Sequence, residues 1–292
     1  MKKSLTLLAL TMACSINAQI QHQYTNNTGS TSASAIGYFT TATADGAFAS
    51  GRDTEATGDY SQALGYKAKA NGDKSFATGH LTIANGVTST AMGYWTEANG
   101  DYSTSTGGGT KANGVYSTAM GHGSYASDYS SLVIGHWNLS GSTVTGSATA
   151  ANSANTLFVI GNGSQSWSKS DAFKVMANGD TTVSNDLTVG GDIVVSSDAR
   201  LKANIVSLGS TLAKLLLIDG KSYTMKKNGK QKIGVLAQDI QKVFPELVTT
   251  NDKDMLAVNY QGLVPVLINA LKEQDDKISR LEKLVEKLIS NK

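Results

Sequence analysis

Small residues, not large apolar ones, carry the pattern in the first half of the chain. Glycine recurs every fourteen residues from Gly37 through Gly51 and Gly65 to Gly135, without a slip. Half a period away stand Gly58, Gly72, Gly86, Gly100 and Gly114, and Asp128 breaks that second series. Two positions before each lies Ala, from Ala56 and Ala70 to Ala126, and Ser keeps the same beat from Ser61 to Ser131. The unit is typified by "LTIANGVTSTAMGY", residues 81–94. So short a period with two turn signals predicts one coil of a solenoid, built from two short strands. Glycine is expected to supply the positive φ of each tight corner. Alanine at alternating positions should point inward, where the coil is too narrow for more, and Met92, Met120 and Ile134 supply what bulk there is. One thin coil buries little, so several chains are expected to associate.

From residue 142 the beat is lost. "TLFVIGNG" (156–163), "AFKVMANGD" (172–180) and "NDLTVGGDIVV" (185–195) read as short strands joined by Asn-Gly or Gly-Gly turns. Leu187, Val189, Ile193 and Val195 alternate with polar residues or Gly, as in a strand with one buried face. Residues 142–196 are thus expected to form a β-rich neck intertwined between chains. Further on, "GVLAQDIQKVFPELV" (234–248) predicts a strand end running into an amphipathic helix that stops near Pro245. Val264, Leu267, Leu271, Gln274, Ile278, Leu281, Val285 and Leu288 then alternate steps of three and four. That is an a/d seam, and it predicts a coiled coil over 264–290.

Composition sharpens this picture. Thirty Gly against two Pro makes the glycine positional, not the filler of a disordered linker. Residues 1–196 hold 9 Lys/Arg against 12 Asp/Glu, and residues 197–292 hold 16 against 11. The lysines are dispersed without aromatic interleaving, so no nucleic-acid partner is expected. Lys2 and Lys3, the apolar run Leu5 to Ala13 and "INA" before Gln19 read as a secretory signal over residues 1–18. The single cysteine, Cys14, lies inside it; cleavage after Ala18 leaves no thiol for a disulfide or a Cys-ligated metal. Lipidation at Cys14 is the less favoured alternative, because Thr stands where a Leu-like residue is preferred. No later segment reads as a membrane span. A secreted or cell-surface protein without cofactors is expected.

The repeat over residues 33–137 resembles the left-handed parallel β-roll in the heads of trimeric autotransporter adhesins, which carries the same "A.G..S.A.G" spacing. The resemblance implies a trimeric, mainly β head, spanning 19–141 here, with a surface glycan or protein as possible receptor. It does not extend to the membrane barrel that ends those adhesins, so anchoring by that route is not expected. His80, His122 and His136 share one repeat position with Tyr38, Tyr66 and Tyr94. They read as aromatic filler in preference to a metal site, which needs convergent mixed donors.

The seam "SSDARLKANI" (196–205) crowds Ser, Asp, Arg and Lys between these halves. Taken alone, it reads as an N-cap with a solvated lysine. Together with "GVLAQDIQKVFPELV" and "YQGLVPVLINALKE", it resembles the intramolecular chaperone auto-processing domain that ends phage endosialidases and tail fibres. The resemblance covers 197–292 and implies an α+β domain that trimerises a fibre and then cuts itself off. It makes Ser197 the nucleophile, Lys202 the base and Ser196–Ser197 the scissile bond; Asp198 and Arg200 hold the turn, and Asn204 belongs to the motif without an assigned role. A serine hydroxyl needs a base, this region holds no histidine, and a lysine partly buried among apolar groups can serve. The expected protein is an exported homotrimeric, adhesin-like fibre matured by its own chaperone. The alternatives are a non-adhesive structural appendage, or a phage-derived tail fibre that keeps its trimerisation domain. No paired carboxylates, HExxH or phosphate loop suggests activity on an external substrate.

Overall fold

A computed structural model of the chain describes residues 27–30, 32–250 and 254–291. The signal-peptide reading and Cys14 lie outside them. The chain divides into two compact units between Asp192 and Ile193.

The first unit is the expected solenoid. Five-residue strands from Ser34–Tyr38 to Leu132–His136 alternate with two-residue strands from Thr41–Ala42 to Tyr125–Ala126. The eight long strands, joined by three later ones, build an 11-stranded sheet, and the short ones, with Asn27–Thr28 before them, an 8-stranded sheet. Neighbouring coils pair in parallel and in strict repeat register, Ala91 opposite Ala77 and Ser105. The core between the sheets is built of small side chains: Ala56, Ala63, Ala70, Ala77, Ala84 and Ala91 are each 0 % exposed, and so are Thr54, Ser61, Thr82, Ser89 and Thr96. A larger side chain would force the sheets apart.

Glycine does a different job from the one expected. Most left-handed corners belong to other residues, among them Leu81 (φ 56), Trp95 (φ 54), Thr88 (φ 55) and Tyr102 (φ 58), and the glycines that do hold such corners, Gly46, Gly109 and Gly123, lie outside both series. Gly86, in the half-period series, has no positive φ; a Cβ there would stand 2.0 Å from the Gly100 carbonyl oxygen. Gly93 lies inside a strand at φ +119, and its Cβ would stand 2.1 Å from the Gly107 oxygen. Both series therefore mark places where one coil's backbone nearly touches the next.

The solenoid also outlasts its sequence beat. Thr156–Asn162 pairs in parallel with Leu132–His136, Gly161 opposite Gly135, after an inserted loop. Two buried side chains hold that loop. Asn138 accepts from the Tyr125 N–H (2.8 Å) and donates to the Tyr125 carbonyl (2.9 Å), standing in for the short strand that would come next. Asp128 accepts from the N–H groups of Thr145 and Thr156, both at 2.7 Å. Asp171–Met176 and Thr181–Val183 extend the sheet antiparallel. Beyond them the expected strand over 185–195 is absent. Leu187 and Ile193 are 67 % and 63 % exposed, because no neighbouring strand among the described residues offers a ladder or a face to cover.

The second unit is small and mixed. A single 3-10 turn, Ala199–Leu201, precedes α1 (Leu212–Leu215), the hairpin Lys221–Thr224/Gln231–Gly234, α2 (Ala237–Val243), a second hairpin-like pair at 248–258 and α3 (Leu263–Ser290). Pro245 opens a 3-10 turn directly after α2, where the helix was expected to stop. Ile240, Phe244 and Val266 form the core, with Leu215, Ile218, Val235 and Val258 packed on it. Glu273 of α3 accepts from the Ser210 hydroxyl (2.6 Å) and from the backbone N–H groups of Thr211 and Leu212. That carboxylate caps α1 from another helix. Val266 and Ala270 of α3 are buried in their own chain, whereas Val264, Leu267, Leu271, Ile278, Leu281, Val285 and Leu288 are 46 to 70 % exposed. A β-solenoid followed by a small strand-and-helix region with a long terminal helix is the fold class that the sequence predicts.

Candidate active site

The seam residues form one tight turn. Asp198, extended at φ −62 and ψ 134, is the N-cap of Ala199–Leu201, and its Oδ1 accepts from the Arg200 N–H at 2.8 Å. The Arg200 guanidinium returns to the same carboxylate at 2.6 Å. That hydrogen bonding holds Asp198 below the usual carboxylate range and Arg200 above its own. The backbone closes with Leu201 N–H on the Asp198 carbonyl and Lys202 N–H on Ala199, both at 3.1 Å. Asn204 then leaves the turn at φ 53, a left-handed conformation that Asn tolerates better than most residues. This is a local reason for Asn at a position to which sequence reading gave no role.

The turn carries the side chain at 202 back over residue 197. Lys202 Nζ lies 2.7 Å from Ser197 Oγ and 3.1 Å from the Ser197 carbonyl oxygen. Capping falls to Asp198, which leaves the Ser197 hydroxyl to the amine. One expectation needs correction. Lys202 is not partly buried: residues 193–210 are exposed throughout. Its apolar neighbours are present but uncovered, Leu201 at 73 %, Ile205 at 67 % and Val206 at 83 %.

The three histidines do not converge. His80 stacks between Tyr66 and Tyr94, with centroids 4.9 and 5.0 Å away. His122 meets Trp137 edge-on at 5.0 Å, and His136 Nδ1 contacts the Gly163 oxygen at 2.7 Å. No group of three or more His, Cys, Asp or Glu suited to a metal occurs among the described residues. Sequence reading missed an asparagine ladder. Asn71, Asn85, Asn99 and Asn113 hand an amide hydrogen bond from coil to coil at 2.7 to 2.8 Å. The recurring "ANG" was the available signal.

These features define a parallel β-solenoid accompanied by a small mixed unit with a serine–lysine contact near its start. Residues 197–249 match the family described as chaperone of endosialidase. Residues 30–54, 56–81, 84–110 and 112–136 match the YadA head domain repeat. The chain is thus similar to a trimeric-adhesin head in one region and to an endosialidase chaperone in the other. No curated protein matches it.

Proposed function

We propose that the chain is an exported, homotrimeric, adhesin-like fibre whose region from Ser197 onward guides trimerisation and then releases itself by cutting Ser196–Ser197. The observation that carries this reading is the 2.7 Å contact between Lys202 Nζ and Ser197 Oγ, in a turn where the family match begins. That distance suits proton transfer from hydroxyl to unprotonated amine. Ser197 Oγ would bond to the Ser196 carbonyl carbon while Lys202 takes the hydroxyl proton. The C–N bond then breaks, and the Ser197 nitrogen takes that proton from Lys202 to become an α-amine. Water hydrolyses the resulting ester, freeing the Ser196 carboxylate and restoring the hydroxyl. The reaction is a single turnover in cis and needs no cofactor.

Assembly supplies the reason for such a step. Near-identical coils can pair one repeat out of register, and a C-terminal nucleus that aligns three chains lowers the entropy of the correct start. Its removal then makes the finished fibre hard to reassemble once unfolded, which is kinetic stability. Host or environmental surface glycans or proteins are the expected receptors of the head. The second reading, a permanently retained trimerisation foot on a structural appendage or tail fibre, is favoured by the exposure of Lys202 in the single chain.

Denaturing gels with N-terminal sequencing of wild type, Ser197→Ala and Lys202→Met separate the two. The expected result is a wild-type fragment that begins at Ser197, with both variants intact. Intact chains in all three would leave the retained foot.

A further inference from the structure

The tetrapeptide Ala-Asn-Gly-Asp stands at residues 70–73, 98–101 and 177–180, and further Asn-Gly pairs begin at Asn85, Asn113, Asn162 and Asn228. Asn-Gly is a chemically weak link, because no side chain on glycine hinders its nitrogen from reaching the Asn side-chain carbonyl carbon. A bond forms between that nitrogen and Cγ. The Cγ–Nδ2 bond breaks, the amide leaves with the glycine proton as ammonia, and a five-membered imide remains. Water then opens the imide at either carbonyl, giving aspartate or isoaspartate. To close the ring, the Asn–Gly peptide must turn and the glycine N–H must give up its hydrogen bond.

The fold divides these pairs sharply. A Cβ on Gly72, Gly86, Gly100 or Gly114 would stand 2.0 to 2.1 Å from a carbonyl oxygen of the next coil, and one on Gly163 would stand 2.3 Å from the Trp137 oxygen. A Cβ on Gly179 or Gly229 would meet nothing within 4 Å. Hydrogen bonds follow the same division. The Gly72 and Gly100 N–H groups donate across to Ala84 and Ala112 of the next coil, both at 3.2 Å. The Asn71 and Asn99 amides donate to the next rung of the ladder, both at 2.8 Å. Around Asn178 the bonds stay inside one turn. Gly179 N–H donates to the Met176 carbonyl at 3.0 Å, Asp180 N–H to Asn178 Oδ1 at 3.0 Å, and Asn178 Nδ2 to Asp180 Oδ2 at 2.8 Å. Asn71 and Asn178 are both exposed, so access of water does not separate them. Freeing Gly72 or Gly100 means parting two coils, whereas freeing Gly179 opens a single turn, and local openings of that kind cost far less. We propose that Asn178 and Asn228 are sites of spontaneous deamidation to aspartate and isoaspartate, and that backbone packing protects the other five Asn-Gly pairs. The proposal rests on neither cleavage nor receptor binding. At Asn178 the new carboxylate would face Asp180 without the amide donor, which loosens the turn between Asp171–Met176 and Thr181–Val183.

The test needs no variant. The purified full chain, with any fragment it releases, is held folded in mildly alkaline buffer, and in parallel unfolded in guanidinium chloride, with circular dichroism checking each state. Digests taken over time are read by mass spectrometry with electron-transfer fragmentation, which distinguishes isoaspartate from aspartate. In the unfolded chain the three Ala-Asn-Gly-Asp copies should convert at similar rates, because their local sequence is the same. In the folded chain Asn178 and Asn228 should convert about tenfold or more faster than Asn71, Asn85, Asn99, Asn113 and Asn162. Conversion of folded Asn71 or Asn99 as fast as Asn178 overturns the proposal. So does an Asn178 or Asn228 that stays intact when folded while it converts when unfolded. Unequal rates among the three copies in the unfolded chain also overturn it, because sequence beyond the tetrapeptide, not packing, would then set the order.

Discussion

At the scale of single residues, the glycines show how a spacing can be plain while its cause is hidden. The fourteen-residue rhythm needs no coordinates, but it suggests corner conformations, and the corners are held by Leu81, Trp95 and Tyr102 instead. Gly93→Ala would place a methyl group 2.1 Å from the Gly107 oxygen at φ +119. It should destabilise the solenoid by about 3 kcal/mol or more in thermal unfolding followed by circular dichroism. Gly109→Ala faces open space at φ +62, so it should cost about 1 to 2 kcal/mol, the left-handed penalty alone. Equal effects would contradict the backbone-approach account. The five-residue spacing of Ser197 and Lys202 was equally visible. That it closes into a 2.7 Å contact depends on the turn capped by Asp198.

Among elements, the joints between segments rest on polar side chains that no periodicity announces. Glu273 is the clearest case. The Ser210 hydroxyl first, and then the Thr211 N–H, hold its carboxyl below the usual glutamate value of 4.5. A depressed folded-state value means that the stabilisation is complete above the unfolded value and is lost as pH falls through the folded one. In a Ser197→Ala background, the thermal midpoint of the C-terminal region should therefore fall as pH drops below about 4.5. Glu273→Gln should lower the midpoint at neutral pH and converge with its parent in acid. Parallel pH profiles would count against the cap. Asn138 and Asp128 belong to the same class: they close the short sheet and pin the inserted loop, and in the sequence they register only as an interruption.

For the whole molecule, the open question is what covers the apolar seam of α3. Val264, Leu267 and Leu271 lie on the same helix as Val266 and Ala270, yet only the latter two find their own chain. An a/d seam left exposed is unsatisfied until other copies of the helix pack on it. Ile278→Glu with Leu281→Glu, both in the outer half of the helix and away from the Ile240 core, should convert the newly made chain from trimer to monomer in sedimentation equilibrium. A trimer that survives the double change would show that the seam does not hold it together.

The sequence alone determined the coil length, the inward alanines, the two-strand unit, the helix before Pro245, the heptad seam and the residues of the serine–lysine pair. All but the pair follow from local periodicity or short spacing, where each residue's environment repeats or lies within a few residues; the pair was picked out by the family resemblance, since its spacing alone reads as a helix cap. Tertiary structure alone decided why glycine is needed, where the solenoid ends, that residues 185–195 form no strand within one chain, and that Lys202 stays open. Those outcomes depend on which backbone comes to lie beside which, and a partner many residues away, or in another chain, leaves no period to read.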